Sequence, residues 1–324
     1  MAEESDEGGM RMKTFWRDMV CRGLQVVVLC AILLSAGLAT AREENGKTFE
    51  APGATIYYEV LGSGAGTPLV LVNGGPGFDH TYLHLATAWD ALAKNRRVVM
   101  YDQRGTGRSL GDHKGQTYTL KDQISDLEAL RAHLGAEQID LLGHSWGGYL
   151  VMAYASMHPE RIAHLFIVDS AAPQWKDIIF LFKEVYPETM ARRDAFGFAE
   201  EINDDPKAIA SELHEYLTML FYSAEKRDAF VSVLPASVYK REVNKAVNAD
   251  LDRFDLNPEI HKFKFPVMVM TGRFDMNVAP LVAYRIHQGI PGSKFRVFER
   301  SGHLPFYEQP EEFVAAVEEF IGGK

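Results

Sequence analysis

The sequence predicts an α/β fold: a mostly parallel sheet with helices on both faces and an inserted helical cap. Three observations predict it. Short, wholly apolar runs alternate with segments of helical periodicity, the pattern of strands buried on both faces. A serine stands between glycines where one such strand gives way to a helix. The alternation breaks once, over residues 171–261, where amphipathic, aromatic-bearing segments follow one another without a core strand.

Taken in order, ATIYYEVLG (54–62) reads as a strand. PLVLVNGG (68–75) is a continuous apolar run ended by glycines, the mark of a buried parallel strand, and RRVVMYDQRG (96–105) is another. LKDQISDLEALRAHLG (120–135) places apolar residues at helical spacing and stops at a glycine. QIDLLGHS (138–145) is a strand followed by a helix to about Met157, and IAHLFIVDS (162–170) is the next strand. After the break, PVMVMTGRFD (266–275) and KFRVFERSGH (294–303) read as strands. APLVAYRIHQGI (279–290) and PEEFVAAVEEFI (310–321) read as the helices that follow them. The core is thus expected over 42–170 and 262–324, with the cap over 171–261.

Residues 1–41 differ from the rest. Arg11, Lys13, Arg17 and Arg22 precede an uncharged run, Val26 to Leu38, that ends in Ala39-Thr40-Ala41. A basic lead, an apolar run and a small-x-small end predict a signal peptide cleaved before Arg42, and hence an exported protein, periplasmic or secreted. The alternative is an uncleaved anchor, since Gly23 to Ala41 is just long enough to span a bilayer. The acidic stretch before Met10 is unusual for a signal, and Met10 and Met12 are alternative starts. Both cysteines, Cys21 and Cys30, fall inside this segment. The processed chain would therefore have neither a thiol nucleophile nor a Cys-based metal site. The formal net charge of −10 argues against nucleic acid as a partner, because phosphate binding needs a basic face.

The chemistry centres on Gly143-His144-Ser145-Trp146-Gly147, lying between a strand and a helix. This G-x-S-x-G elbow lets the chain turn sharply and lifts the serine hydroxyl above the sheet at a helix N-terminus. The hydroxyl needs a base, and the base needs a carboxylate to orient it, in the chain order Ser, acid, His. Asp275, in the loop after VMVMTG, and His303, after the last strand, both project from strand C-terminal ends, where open parallel sheets bind ligands. Asp169, one strand earlier, is the rival for the acid. His144 is expected to pack beneath the elbow. The oxyanion hole is assigned to the backbone N–H groups of Trp146 and Gly75, the latter in the loop Asn73-Gly74-Gly75-Pro76-Gly77. DQRGTGRS (102–109) lacks the G-K-[ST] of a phosphate loop and reads as a brace for the site, with Arg104 and Arg108 as structural ties or, alternatively, substrate contacts.

The whole processed chain resembles the α/β-hydrolase superfamily. More narrowly, GGPG (74–77), DQRGTGRS, GHSWGG and GRFDM resemble the proline iminopeptidase family of serine aminopeptidases. The resemblance implies a catalytic triad of Ser145, Asp275 and His303, an oxyanion hole of Gly75 and Trp146, and a cap closing over the substrate. It also implies release of an N-terminal residue, often proline, from short peptides, a cap carboxylate to hold the free α-ammonium, and no cofactor or metal. The chain departs from the family pattern at Asn73, where histidine is usual, and at His144, where a further glycine is usual. It lacks the Trp-x-x-Trp-Glu segment of typical members. Glu184, Glu188, Glu215 and Glu242 lie in the cap segment, and the substrate-binding carboxylate is left open among them.

Three functions are therefore in play. The first is an exported serine hydrolase that releases N-terminal residues, proline or small apolar ones, from short peptides through an acyl-enzyme, with no stable membrane association once the signal is removed. The second is an esterase or lactonase with the same triad and no carboxylate poised for an ammonium group. The third is a binding protein that has kept the fold and lost activity, which the intact Ser-Asp-His order disfavours. An epoxide hydrolase or dehalogenase would need a carboxylate at position 145.

Overall fold

The computed structural model describes residues 46–111, 118–195, 206–251 and 253–323. The expected signal segment, 1–41, lies outside the described residues. No helix among the described residues is long and apolar enough to cross a membrane.

A sheet of nine strands forms the centre: β1 (Lys47–Ala51), β2 (Ala54–Leu61), β3 (Leu69–Val72), β4 (Val98–Tyr101), β5 (Leu110–Gly111), β6 (Ile139–His144), β7 (Ile162–Val168), β8 (Val267–Gly272) and β9 (Lys294–Phe298). Their spatial order is β1-β2-β4-β3-β6-β7-β8-β9, with β5 paired to β2. From β4 to β9 every pairing is parallel, while β1, β2 and β5 form an antiparallel edge.

The apolar runs form the central strands because both their faces are covered. Every residue of β3, β4 and β6 is buried. Alternate residues face opposite sides, as the pleat requires. Val70 and Val72 join one core with Leu141 and the helices Leu120–His133 and Trp146–Met157. Leu69 and Leu71 join the other with Trp89, Phe306 and Phe313. Between β7 and β8 the described residues form no strand of the sheet. They form helices at Phe182–Val185, Pro187–Ala195, Pro206–Thr218, Ala224–Val233, Arg241–Leu251 and Asn257–Ile260.

Three details differ from the expectation. The strands expected over 266–275 and 294–303 end at Gly272 and Phe298, because the chain turns there to deliver the residues of the site. The edge strand β1 is added, with only its alternate residues Phe49 and Ala51 buried. The stretch between β3 and β4 carries a short 3₁₀ turn, His80–Leu85, and the helix Ala88–Ala93.

The chain leaves β3 for β4 on one side and β6 on the other, so the strand order reverses at the β3–β6 pair. Ligands bind outside strand C-termini at such a switch point. Asn73 follows β3 there and Ser145 follows β6.

Candidate active site

Ser145 sits at φ +58°, ψ −120°, a strained conformation for a residue with a side chain. The surroundings hold it there. Its N–H donates to the Val168 carbonyl at 2.9 Å, and its own carbonyl accepts from Gly148 N–H at 2.9 Å. The flanking glycines are required by contact. A Cβ on Gly143 would stand 2.2 Å from the Gly147 carbonyl oxygen, and one on Gly147 would stand 2.1 Å from that of Val72.

His303 and Asp275 meet as the chain order predicts. His303 Nδ1–H donates to Asp275 Oδ2 at 2.7 Å, with both side chains buried. Asp275 Oδ1 accepts from the N–H groups of Asn277 and Val278, each at 2.9 Å. These bonds fix the imidazole with its proton on Nδ1, leaving the Nε2 lone pair free to accept a proton. Nε2 is met by Asn277 Nδ2 at 3.1 Å. No Ser145–His303 hydrogen bond is present, although both side chains line one recess. Asn277 was not visible as a site residue in the sequence, since nothing distinguishes its spacing from that of any loop residue near the acid.

Gly75 borders the same recess, at φ +134°, where a Cβ would stand 2.8 Å from Gly77 N. The Trp146 N–H opens a helix and so has no intrahelical acceptor. DQRG ties these two loops together. Gln103 Nε2 donates to the Asn73 carbonyl at 2.9 Å, and its Oε1 accepts from Trp146 Nε1 at 2.8 Å. Arg104 donates twice to Asp126, at 2.7 and 2.6 Å, and Arg108 lies over the Tyr57 ring. Both arginines thus contact other parts of the fold.

His144 does more than pack. The Gly74 N–H donates to Tyr82 Oη at 2.6 Å, Tyr82 donates to His144 Nδ1 at 2.7 Å, and His144 Nε2–H donates to the His303 carbonyl at 2.8 Å. One directional chain thus links the glycine loop to the histidine loop. It requires a neutral His144, and burial, aided by nearby His303, holds that imidazole well below its ordinary pKa. The His303 loop is fastened on its other side as well. His303 N–H donates to the Leu220 carbonyl at 2.7 Å. Glu308 accepts from Gly302, Tyr222 and Ser223 N–H groups at 2.6, 3.0 and 2.8 Å.

Two recesses meet at Ser145. One is apolar, walled by Phe78, Leu217, Leu220, Phe230 and Leu234. The other is a cavity of about 560 Å³ carrying Trp146, Trp175 and Tyr239 together with Glu184, Arg193 and Glu212. Of the four carboxylates singled out in the sequence, only Glu184 borders this cavity. Glu215 lies against a different, surface cavity and pairs with Arg192. Glu212, which periodicity alone did not single out, is on the cavity wall, 2.7 Å from Arg193 Nε.

The family described as alpha/beta hydrolase fold matches residues 67–310. Solved structures agree. An esterase from Rhodococcus sp. superposes with a TM-score of 0.70 at 23% identity, covering 86% of this chain and 98% of that one. A thermophilic esterase from Thermogutta terrifontis superposes with a TM-score of 0.64 at 27% identity, covering 86% and 98%. The fold is therefore that of the α/β hydrolases. A protein of Lactobacillus helveticus named proline iminopeptidase is 32% identical over 288 residues, 83% of this chain and 95% of its own. One of Clostridium botulinum with the same name is 30% identical, covering 82% and 94%. The chain belongs to the proline iminopeptidase family of α/β hydrolases.

Proposed function

We propose that this protein is a serine aminopeptidase that releases N-terminal residues, proline or small apolar ones, from short peptides. The observation that carries the reading is the placing of Glu184 and Glu212 on the wall of the cavity that Ser145 borders. Arg193 already pairs with Glu212, and a free α-ammonium gives the two carboxylates a further cation to bind that an ester lacks. The names of the relatives point the same way.

In this reading Ser145 Oγ attacks the scissile carbonyl and His303 Nε2 takes its proton. Asp275 holds the imidazole and stabilises the imidazolium. Asn277 yields Nε2 to the serine as substrate enters. The Gly75 and Trp146 N–H groups receive the oxyanion. The amine leaves with the proton from His303, and water, deprotonated by the same histidine, hydrolyses the acyl-enzyme. The helical segment 171–261 acts as a cap that limits substrates to short ones. The apolar recess beside His303 takes the side chain of the released residue. Export through the N-terminal signal remains part of the proposal.

The test compares a prolyl arylamide bearing a free amine, its N-acetylated twin and an aryl ester. Turnover of the free amine alone supports the reading. Turnover of the ester with neither amide cleaved would make the protein an esterase. Ser145→Ala abolishes turnover in a folded protein; retained activity would overturn the mechanism. Glu212→Gln and Glu184→Gln raise KM for the free-amine substrate and leave the ester unaffected.

A further inference from the structure

Among the described residues, two that are not glycine have positive φ: Ser145 at +58° and Asp169 at +43°. Strain of this kind persists only where the surroundings over-determine it, and it gathers at functional sites. The elbow accounts for Ser145. Nothing in the mechanism so far uses Asp169.

Asp169 follows β7 beside the elbow and is almost wholly buried. Its Oδ1 accepts from Gly272 N–H at 2.8 Å and Thr271 Oγ1 at 3.1 Å. Its Oδ2 is buried and receives no donor. A carboxylate oxygen of Asp169, one of Asp275 and a ring nitrogen of His303 lie within 4.8 Å of one another. Asp275 already takes two backbone N–H groups on Oδ1 and the imidazole on Oδ2. A negative charge on Asp275 this near disfavours a second one on the buried Asp169. Among the described residues no lysine or arginine pairs with either. The titratable groups that face them are His303 and, toward Asp275, Tyr216 from the helix Pro206–Thr218.

We propose that Asp169 is a positioning residue: a carboxylic acid that keeps its proton and donates it to Asp275, so that two buried acidic groups share one negative charge behind His303. This rests on the triad reading above. Burial, and then the Asp275 carboxylate, push the Asp169 carboxyl well above the ordinary range, and the Gly272 N–H opposes this without prevailing. The consequence for Asp275 is a fixed rotamer and a single charge.

The test uses the whole chain and the rate at which a fluorophosphonate labels Ser145, which reads the triad without depending on the peptide substrate. Asp169→Asn is isosteric. Its carbonyl keeps the bonds from Gly272 and Thr271, and its amide supplies a neutral donor to Asp275. The variant is expected to label within about threefold of the wild-type rate, since one neutral donor replaces another. The acid limb of its pH profile stays in place because no charge has been removed. Asp169→Ala lacks the donor and labels at least about tenfold more slowly, a loss that Asn restores. The infrared spectrum of the wild type at neutral pH shows the carbonyl stretch of a buried protonated carboxyl, and Asp169→Asn lacks it.

Absence of that band from the wild type overturns the proposal. So does an acid limb that moves down in Asp169→Asn, which would mean that a negative charge had been lost. So does a loss of labelling in Asp169→Asn as large as in Asp275→Asn, which would make Asp169 the acid itself. Failure of the aminopeptidase reading looks different: labelling persists while no free-amine substrate is cleaved. If Ser145 were never labelled, the triad reading would fall, and the infrared band would still decide the state of Asp169.

Discussion

Replacing Arg104 by Met tests whether the DQRG segment is structural. Arg104 grips Asp126 through two bonds of 2.7 and 2.6 Å, with side-chain exposures of only 4% and 0%. A third donation reaches the Pro52 carbonyl at 3.1 Å. Methionine fills much of the same volume and leaves the Asp126 carboxylate buried and unpaired by Arg104. Removing one partner of a buried pair costs about 3–5 kcal/mol. In a chain of this size each kcal/mol lowers Tm by roughly 2–4 °C. The expected fall is therefore about 6–20 °C, read by thermal or urea unfolding. A second signature is pH dependence. In the variant, the folded-state pKa of Asp126 is raised above its unfolded value. The deficit is then largest at neutral pH and shrinks as pH falls and Asp126 takes a proton. The double variant Arg104→Met/Asp126→Leu recovers most of the loss, since a hydrophobic pair avoids burying a lone charge. A loss under about 1 kcal/mol would refute the structural reading. So would unchanged stability with a selective rise in KM, which would make Arg104 a substrate contact.

Other outcomes follow from the same geometry. Burial alone would push the His80 imidazole down, but Asp102 and Glu59 more than offset it and hold its pKa up at about 10. Its stabilisation is complete below the unfolded value of about 6.5 and is lost as pH rises through the folded value. His80→Gln therefore flattens the decline in stability between those limits, as pH-resolved urea unfolding would show. An equally steep decline in the variant would assign it elsewhere. Gly147→Ala forces a methyl toward the Val72 carbonyl oxygen, at 2.1 Å before relaxation. It should cost at least about 1–3 kcal/mol and reduce fluorophosphonate labelling of Ser145. Tyr82→Phe leaves Gly74 N–H and His144 Nδ1 without their shared partner, costing about 1–3 kcal/mol, with a loss in kcat larger than any change in KM.

The parts of the fold legible in the sequence were those set by local pattern. LVLV, VVMY and IDLLGH read as buried strands because burial on both faces leaves no polar position to confuse the period. Ser145, Asp275 and His303 were legible as candidates because each follows a strand end, in the chain order Ser, acid, His. KTFEA was missed because an edge strand buries only alternate residues and is too short to establish a period. Glu212 was missed, and Glu215 included, because both lie on one helix three residues apart. Which of them meets the cavity is decided by how that helix docks. The partnership of Asp169 with Asp275 is likewise tertiary. The sequence showed two eligible acids as rivals, whereas the fold sets them side by side.

The bond from His303 N–H to the Leu220 carbonyl has a consequence for anyone who would build chimaeras from this scaffold. Homologous hydrolases invite recombination at the ends of β7 and β8, as though the intervening helices were an interchangeable module. Here the backbone of that module sets the height of His303. Gly302 has no side chain where a Cβ would stand 2.3 Å from the Leu220 oxygen, and Glu308 clasps the next two residues of the module after Phe221. A foreign insert would inherit the strand ends and still misplace His303 unless it brought a matching carbonyl and two N–H groups to the same spot. The unit of exchange is therefore the helical segment together with residues 302–308, two pieces far apart in the chain that must travel as one.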